Sequence, residues 1–301
     1  MEPHWDDMRV FLSVAREESL SGAGKRLKMD PATVGRRIAR LESAMETTLF
    51  AKSPQGYTLT GAGERLLRHG EEAEQAMRAG MEALSGPEDT LSGQIRIGAP
   101  DGCAYYVLSP ICSPISRANP DLDIQIVALP RVVNLNRREA DMAITVSPPT
   151  AGQYHVEKIT DYKLFIAGGR QYLRRRPPIN SIEDLKDHRI IGYIPDMIYD
   201  AELDYLRDLG LDRVVLASNS VPLQVRMVEQ GDGLCVTHAF AMAQHGVLRK
   251  VLGDEVSFTR SFYLVRHKSD LKSDRMNRLA DAIITGVREK VAELEDHVAQ
   301  A

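Results

Sequence analysis

Residues 19–45 constrain the fold of this chain more than any other stretch. Ser19 or Ser21 can cap a short helix that ends near Leu27, with Ala23 and Leu27 facing inward. Lys28-Met29 leave room only for a tight connection. Asp30 is then a good N-cap, and Pro31 sits at the first helical position, where its missing N–H costs nothing. Val34, Ile38, Leu41 and Met45 follow at helical spacing and leave Thr33, Arg36, Arg37 and Arg40 off the apolar face. Upstream, Met8, Phe11, Leu12 and Ala15 fall on one face of a preceding helix. Downstream, Leu49-Phe50, the turn signal Ser53-Pro54-Gln55-Gly56 and the alternation Tyr57-Thr58-Leu59 predict a β-hairpin wing. Two short helices, a tight turn and a basic, capped third element are the parts of a helix-turn-helix, whose second helix enters the major groove. A three-helix bundle with a solvated basic face satisfies the same spacing.

Charge sharpens the choice. The 301-residue chain has a net charge of −4, so no basic coat exists to wrap nucleic acid and any such role needs a local patch. Between Gly22 and Gly56, Lys25, Arg26, Lys28, Arg36, Arg37, Arg40 and Lys52 stand against only Asp30, Glu42 and Glu46. With 43% hydrophobic and 27% charged residues, the chain supports two or three units with real cores and excludes wholesale disorder. The acidic start lacks the pattern of a signal peptide, and no apolar run approaches the roughly 18 residues of a membrane span. Three cysteines are too few for a disulfide framework. The expectation is a cytoplasmic protein with no membrane partner.

From Gly61 to Leu84 a proline-free helix carries Leu66, Gly70, Ala73, Met77, Gly80 and Leu84 at 4-3-4-3-4 spacing, a seam that calls for a partner helix or for its own domain. Gly86-Pro87 breaks it, and residues 87–92 are the expected hinge. Beyond Gly93 strands and helices alternate, which predicts parallel α/β units. The strands expected are "QIRIGAP", "LDIQIVAL", "MAITV", "KLFIAGG", "RIIGYI", "RVVLAS", "GLCVTH" and "SFYLVR". Helices are expected from Ser109-Pro110, ending in "NRREAD", at "SIEDL", near 201–209, over 221–230, and through Met276, Leu279, Ile283, Val287 and Val291. In open α/β sheets ligands bind beyond the carboxyl ends of strands. That singles out Pro100, Asp101, Gly102, Cys103, Arg131, Thr145, Pro195, Asp196 and Thr237 as effector-binding candidates, with Ser147, Tyr193, Ser218 to Ser220 and His238 in the same segments.

Residues 7–67, with "IARLE" at 38–42, "LF" at 49–50 and "LTGAG" at 59–63, closely resemble the winged helix-turn-helix of LysR-type transcriptional regulators. The resemblance extends more loosely through "SIEDLKDHRIIGY" and "EQGDGLCVTHAF" to the end of the chain. It implies an α/β protein with an all-α N-terminal part. A winged helix-turn-helix (1–60) and a linker helix with its hinge (61–90) would precede a two-lobed effector domain (91–301) that resembles periplasmic solute-binding proteins. Lobe one would span 91–162 and 265–301, and lobe two 163–264. By the same resemblance Pro31, Ala32, Thr33 and Arg36 face bases or phosphates, with Arg37 and Arg40 on the same basic face and Lys52 and the wing on the DNA backbone. Leu66, Ala73, Met77, Gly80 and Leu84 pair subunits into a homodimer or homotetramer. The implied partners are double-stranded promoter DNA, a small-molecule effector and RNA polymerase, and no cofactor is implied. Gly22, Gly24, Gly35 and Gln55 depart from the family pattern, and the first two weaken helix propensity. Asp101 stands where a Ser or Thr suited to a carboxylate effector is common, and a helix cap is its expected role.

Catalytic chemistry has no foothold. "GAGKRL" lacks the preceding strand and the Lys-Ser/Thr of a phosphate loop. His238 and His245 have no companion ligand pair, and Cys103 and Cys112 read as inert packing residues rather than a redox pair. A solute receptor and an α/β enzyme with an appended helical domain are the rival classes. The basic N-terminal module speaks against the first and the missing catalytic constellation against the second.

Overall fold

Capping side chains start the N-terminal helices where the local chemistry places them. The computed structural model describes residues 3–53, 56–83, 91–128, 140–211, 213–253 and 255–299. It divides into two compact units, one holding the elements up to Ala83 and the other the strands and α-helices from Gly93 onward. In the first unit α1 (Trp5–Glu17), α2 (Leu20–Leu27) and α3 (Pro31–Ala44) precede a hairpin of β1 (Phe50–Ser53) and β2 (Gly56–Leu59), and then the long α4 (Gly61–Ala83). Ser19 Oγ accepts from Gly22 N at 3.2 Å, and Asp30 Oδ1 accepts from Ala32 N at 2.8 Å.

Between α2 and α3 the chain reverses through Lys28 at φ 53°, and Met29 N donates to Gly24 O at 2.8 Å. A Cβ on Gly24 would lie 2.6 Å from the Met29 carbonyl oxygen. This glycine is therefore what lets the turn close, a gain that outweighs the helix propensity it forfeits. Phe11, Val34, Ile38, Leu41 and Phe50 fill the core beneath. Glu42 Oε1 accepts from Leu49 N at 2.7 Å and Phe50 N at 3.2 Å, tying the end of α3 to the first wing strand. Tyr57 N donates to Glu18 O at 2.9 Å, seating the second.

The seam on α4 divides in two. Leu66 packs on the core, and a Cβ at Gly70 would come within 3.0 Å of Leu12 Cδ2, so this half docks on α1. Arg16 pins it with a 2.7 Å ion pair to Glu74. Farther along, Ala73 is exposed, Met77 is 55% exposed and the space around Gly80 is open. Leu84 and residues 85–90 lie outside the described residues.

In the second unit the described residues form one nine-stranded mixed sheet. Its strands are β3 (Gly93–Ala99), β4 (Leu122–Ala128), β5 (Met142–Thr145), β6 (Tyr154–Gly169), β7 (Ile190–Gly192), β8 (Leu216–Ala217), β9 (Leu234–His238), β10 (Leu248–Val251) and β11 (Ser257–His267). The order is β4-β3-β5-β11-β6-β9-β7-β8, with β10 also on β6. The flank β4-β3-β5 and the flank β9-β7-β8 are parallel within themselves, but β6, β10 and β11 run antiparallel to their neighbours. The all-parallel expectation is thus corrected. "KLFIAGG" is the second half of a 16-residue strand whose first half, from Tyr154, is too exposed and polar to announce itself. "RVVLAS" shortens to Leu216–Ala217, and "SIEDL" becomes a 3₁₀ turn at Glu183–Asp187.

The helix expected from Ser109 begins eight residues earlier. It comprises α5 (Asp101–Cys103), a π-helical turn (Ala104–Leu108) and α6 (Ser109–Ala118) in succession. Pro110 has no N–H for the Tyr106 carbonyl, and Gln244 Nε2 supplies that donor at 3.2 Å. The remaining helices are α7 (Arg170–Arg175), α8 (Tyr205–Asp208), α9 (Val221–Glu229), α10 (Ala239–Met242) and α11 (Asp274–Ala299). Met276, Leu279, Ile283, Val287 and Val291 of α11 are all buried, as their spacing implies. The polar helix expected to end in "NRREAD" lies outside the described residues. No described helix is long and apolar enough to cross a membrane.

Candidate functional site

The N-terminus of α3 is bare where its C-terminal half is tied down. Pro31, Ala32 and Arg36 are exposed, and Arg36 Nη2 donates to Thr33 Oγ1 at 3.0 Å. Arg40 Nε reaches back to Asp7 Oδ2 at 2.5 Å, and Arg37 lies 3.7 Å from the same carboxylate. Asp7 is buried, so these two guanidinium groups compensate a charge that would otherwise be stranded in the core. Arg37 and Arg40 thus have an internal task that their position on a basic face does not reveal. Lys52 is exposed on β1, its ammonium 6.0 Å from the centre of the Tyr57 ring across the hairpin.

The second unit holds a narrow cleft, with room for little more than a water molecule, at the carboxyl ends of β3 and β9. Pro100, Asp101, Gly102 and Cys103 all line it, together with Val146, Tyr193, Tyr199, Val221, His238 and Phe262. Thr145 and Thr237 are not among its lining residues. Their neighbours Val146 and His238 are, because successive residues along a strand face opposite sides and a shift of one exchanges them. Thr145 Oγ1 donates to Ser147 O at 2.7 Å, and Thr237 is buried. Pro195 and Asp196 are exposed, and the flanking tyrosines line the cleft instead. Arg131 lies outside the described residues. Tyr199 and Phe262 carried no sequence signal, since one sits in an irregular segment and the other in mid-strand.

Asp101 is a cap, though chiefly for a helix 120 residues away. Its Oδ2 accepts from Val221 N at 2.9 Å at the start of α9, its Oδ1 accepts from Gly102 N at 2.8 Å, and the Ser220 hydroxyl also donates to it. Burial nevertheless holds its carboxyl above the usual aspartate range, against those three hydrogen bonds and a fourth from its own backbone N–H. Beside it, burial pushes His238 down to about 3, so the imidazole is neutral, and its Nδ1 is buried without a partner. Tyr162 stacks on Phe262 at 4.2 Å between ring centres, and its hydroxyl is also buried and unpartnered. Burial raises the thiols of Cys112 to about 11 and Cys235 to about 12, and that of Cys103 higher still, so all three stay protonated. Among the described residues no group of three or more His, Cys, Asp or Glu could hold a metal ion.

Comparison with known proteins agrees with both halves. The family model described as bacterial regulatory helix-turn-helix protein, lysR family, matches residues 5–64. The LysR substrate binding domain matches residues 88–288. The HTH-type transcriptional activator TtdR of Escherichia coli (strain K12) is 26% identical over 182 residues, 60% of this chain and 59% of that relative. The chain thus spans about three fifths of the length of the curated relatives it matches first. Among solved structures, a full-length OxyR variant from Pseudomonas aeruginosa superposes with a TM-score of 0.68 at 16% identity, covering 95% of this chain and 98% of that one. Full-length LysG from Corynebacterium glutamicum, with arginine bound as its effector, superposes with a TM-score of 0.64 at 18% identity, covering 96% and 99%. With a helix-turn-helix model on its first unit and a substrate-domain model across two thirds of its length, this chain belongs to the LysR family of bacterial regulatory helix-turn-helix proteins.

Proposed function

We propose that this chain is a transcriptional regulator that binds promoter DNA through α3 and the wing, pairs with a second copy through the distal half of α4, and answers to a small molecule in the cleft of its second unit. The observation that carries the DNA reading is the division of labour along α3. Arg37 and Arg40 are held by Asp7, while the side chains of Pro31, Ala32, Thr33 and Arg36 at the helix start make, among the described residues, only the one hydrogen bond between Arg36 and Thr33. The N-terminal residues of a recognition helix are the ones that reach base edges. Arg36 is the base reader in this reading, Lys52 a phosphate contact, and Arg40 a brace. In the cleft, a ligand that touches both flanks of the sheet differs in its contacts between open and closed forms, which is the requirement for shifting a population.

Operator binding with single variants tests this. Arg36→Ala should cost about 1–3 kcal/mol of affinity and flatten sequence preference at one position. Lys52→Ala should weaken all sequences alike and reduce the slope of log affinity against log salt by about one. Unchanged binding in both variants at moderate salt would refute the placement of α3 in the groove.

A further inference from the structure

Between Gly168 and Ile182 the chain carries four arginines and no acid, although its net charge is −4. This stretch ends β6, forms α7 and leaves through Pro177-Pro178. Arg170, Arg174, Arg175 and Arg176 are all exposed. Folding brings three more cations to the same edge. Arg170 N donates to Val247 O at 2.9 Å, and β10 lays Arg249 and Lys250 opposite Gly168 and Ala167 of β6. Arg189 N donates to the Tyr172 hydroxyl at 3.0 Å, and the Arg176 guanidinium lies 5.5 Å from the centre of the same ring.

None of these seven side chains is in an ion pair with a described residue. The Arg189 and Arg249 guanidinium groups donate to the neutral carbonyls of Asp232, Gly246 and Leu248, and Lys250 rests over the Phe165 ring at 4.5 Å. Asp184 and Asp187 lie near enough for His188 to sense them together with Arg176, yet neither forms an ion pair with a described residue. Asp184 instead accepts from Asn180 N and Ser181 N at 2.8 and 3.0 Å. Like charges one helical turn apart, as at Arg170 and Arg174, destabilise a helix. The cluster carries a repulsion that no described acid relieves.

Guanidinium groups match phosphate oxygens through paired N–H donors. A protein partner would need an apolar centre, and this edge supplies little of one. Tyr172 and Phe165 are buried, and Val247 is its one large exposed apolar side chain among the described residues. Duplex DNA needs cations alone, since it presents one charge about every 1.7 Å along its axis. Resting on the reading of this chain as a DNA-binding regulator, we propose that the arginine-rich edge of the second unit is a second DNA contact, which holds the phosphate backbone of a duplex without reading its bases.

Fluorescence anisotropy of the full chain with a labelled duplex of random sequence, across a salt series, tests the assignment. Arg174→Gln, Arg175→Gln and Arg176→Gln combined should reduce the slope of log affinity against log salt by about two to three and weaken binding at least about tenfold at physiological salt. Arg174→Lys, Arg175→Lys and Arg176→Lys combined should keep most of that slope, and Arg117→Gln with Arg207→Gln, exposed arginines elsewhere in the unit, should leave it unchanged. Should the triple glutamine variant fold poorly, Arg175→Gln alone should lower the slope by about one. An unchanged slope, while Lys52→Ala still lowers it, overturns the second contact and leaves the reading of α3 and the wing standing. Equal losses per residue from Arg117→Gln and Arg207→Gln would make the effect one of net charge and overturn it too. If the triple glutamine variant keeps the duplex slope but loses binding to labelled polyglutamate, the partner is an acidic protein and the DNA assignment falls. If the wild-type chain binds no duplex even at low salt, both readings fall.

Discussion

Asp7 in the first unit and Asp101 in the second are both carboxylates taken out of water, and they are compensated in opposite ways. Asp7 meets two guanidinium groups, Arg37 and Arg40, carried on the next helix but one. Asp101 meets three backbone N–H groups, its own among them, and a hydroxyl, with aromatic rings beyond and no cation partner among the described residues. Around Asp7 the arrangement is closed, and it ties α1 to the C-terminal half of α3. Around Asp101 the carboxylate is satisfied by neutral donors alone, and the His238 and Tyr162 side chains nearby are left with unmet hydrogen-bonding capacity. The proposed DNA-binding scaffold and the proposed effector cleft differ in this respect. The first satisfies its buried charge internally, whereas the second leaves two buried polar atoms without a partner.

The largest expected effect falls on the closed side. Glu42→Ala removes the acceptor of two N–H groups on buried residues, Leu49 and Phe50, and should cost about 3 kcal/mol by denaturant titration. A loss under half that would mean the wing is seated without Glu42. On the side of Asp101, His238 is neutral in the folded chain down to about pH 3, while the unfolded chain protonates it near 6.5. Because the unfolded state then binds the extra proton, wild-type stability should drop relative to His238→Phe as pH falls from about 6 to about 4, by on the order of 1.4 kcal/mol per unit. Parallel pH curves for the two proteins would show that the imidazole is not sealed in.

Smaller effects sharpen the contrast. Tyr162→Phe deletes a buried hydroxyl without a partner and should be neutral or stabilising by up to about 1 kcal/mol. A clear destabilisation would reveal a partner for that hydroxyl. Gly80→Glu, where the space around the Cβ position is open, should leave the melting midpoint of the chain within about 0.5 kcal/mol of wild type. It should nevertheless yield smaller species on sedimentation, because the charge lands on the exposed half of the α4 seam. A wild-type chain that sediments as a monomer at micromolar concentration would remove the basis for that half of the proposal.

Legibility follows sequence distance. Ser19, Asp30 and Pro31 start their helices through contacts two or three residues away, and the stripe Val34-Ile38-Leu41 needs only the helical period. Such features can be read from one window of residues, and so could the wing, the long α4 and the amphipathic α11. At the cleft the sequence named the right strand ends, and Pro100 to Cys103 line it, but strand parity decided between Thr145 and Val146 and between Thr237 and His238. Parity depends on which face the sheet buries, and that is a property of the partners rather than of the strand.

By itself, the sequence determined three short helices with their caps and basic face, and the alternation of strands and helices after Gly93, because each rests on short-range periodicity and hydrogen bonds to near neighbours; the choice of a helix-turn-helix over a plain three-helix bundle came from the family resemblance. Only the tertiary structure decided that Arg37 and Arg40 pair with the buried Asp7 from the surface, that the α4 seam divides at Gly70, and that β6 and β11 run antiparallel through the sheet. It alone also showed that Asp101 caps a helix 120 residues away. Each of these depends on a contact whose two sides are far apart in the chain. No local pattern encodes where a buried charge will find its partner, since that choice is made by the electrostatic cost of leaving the charge without one.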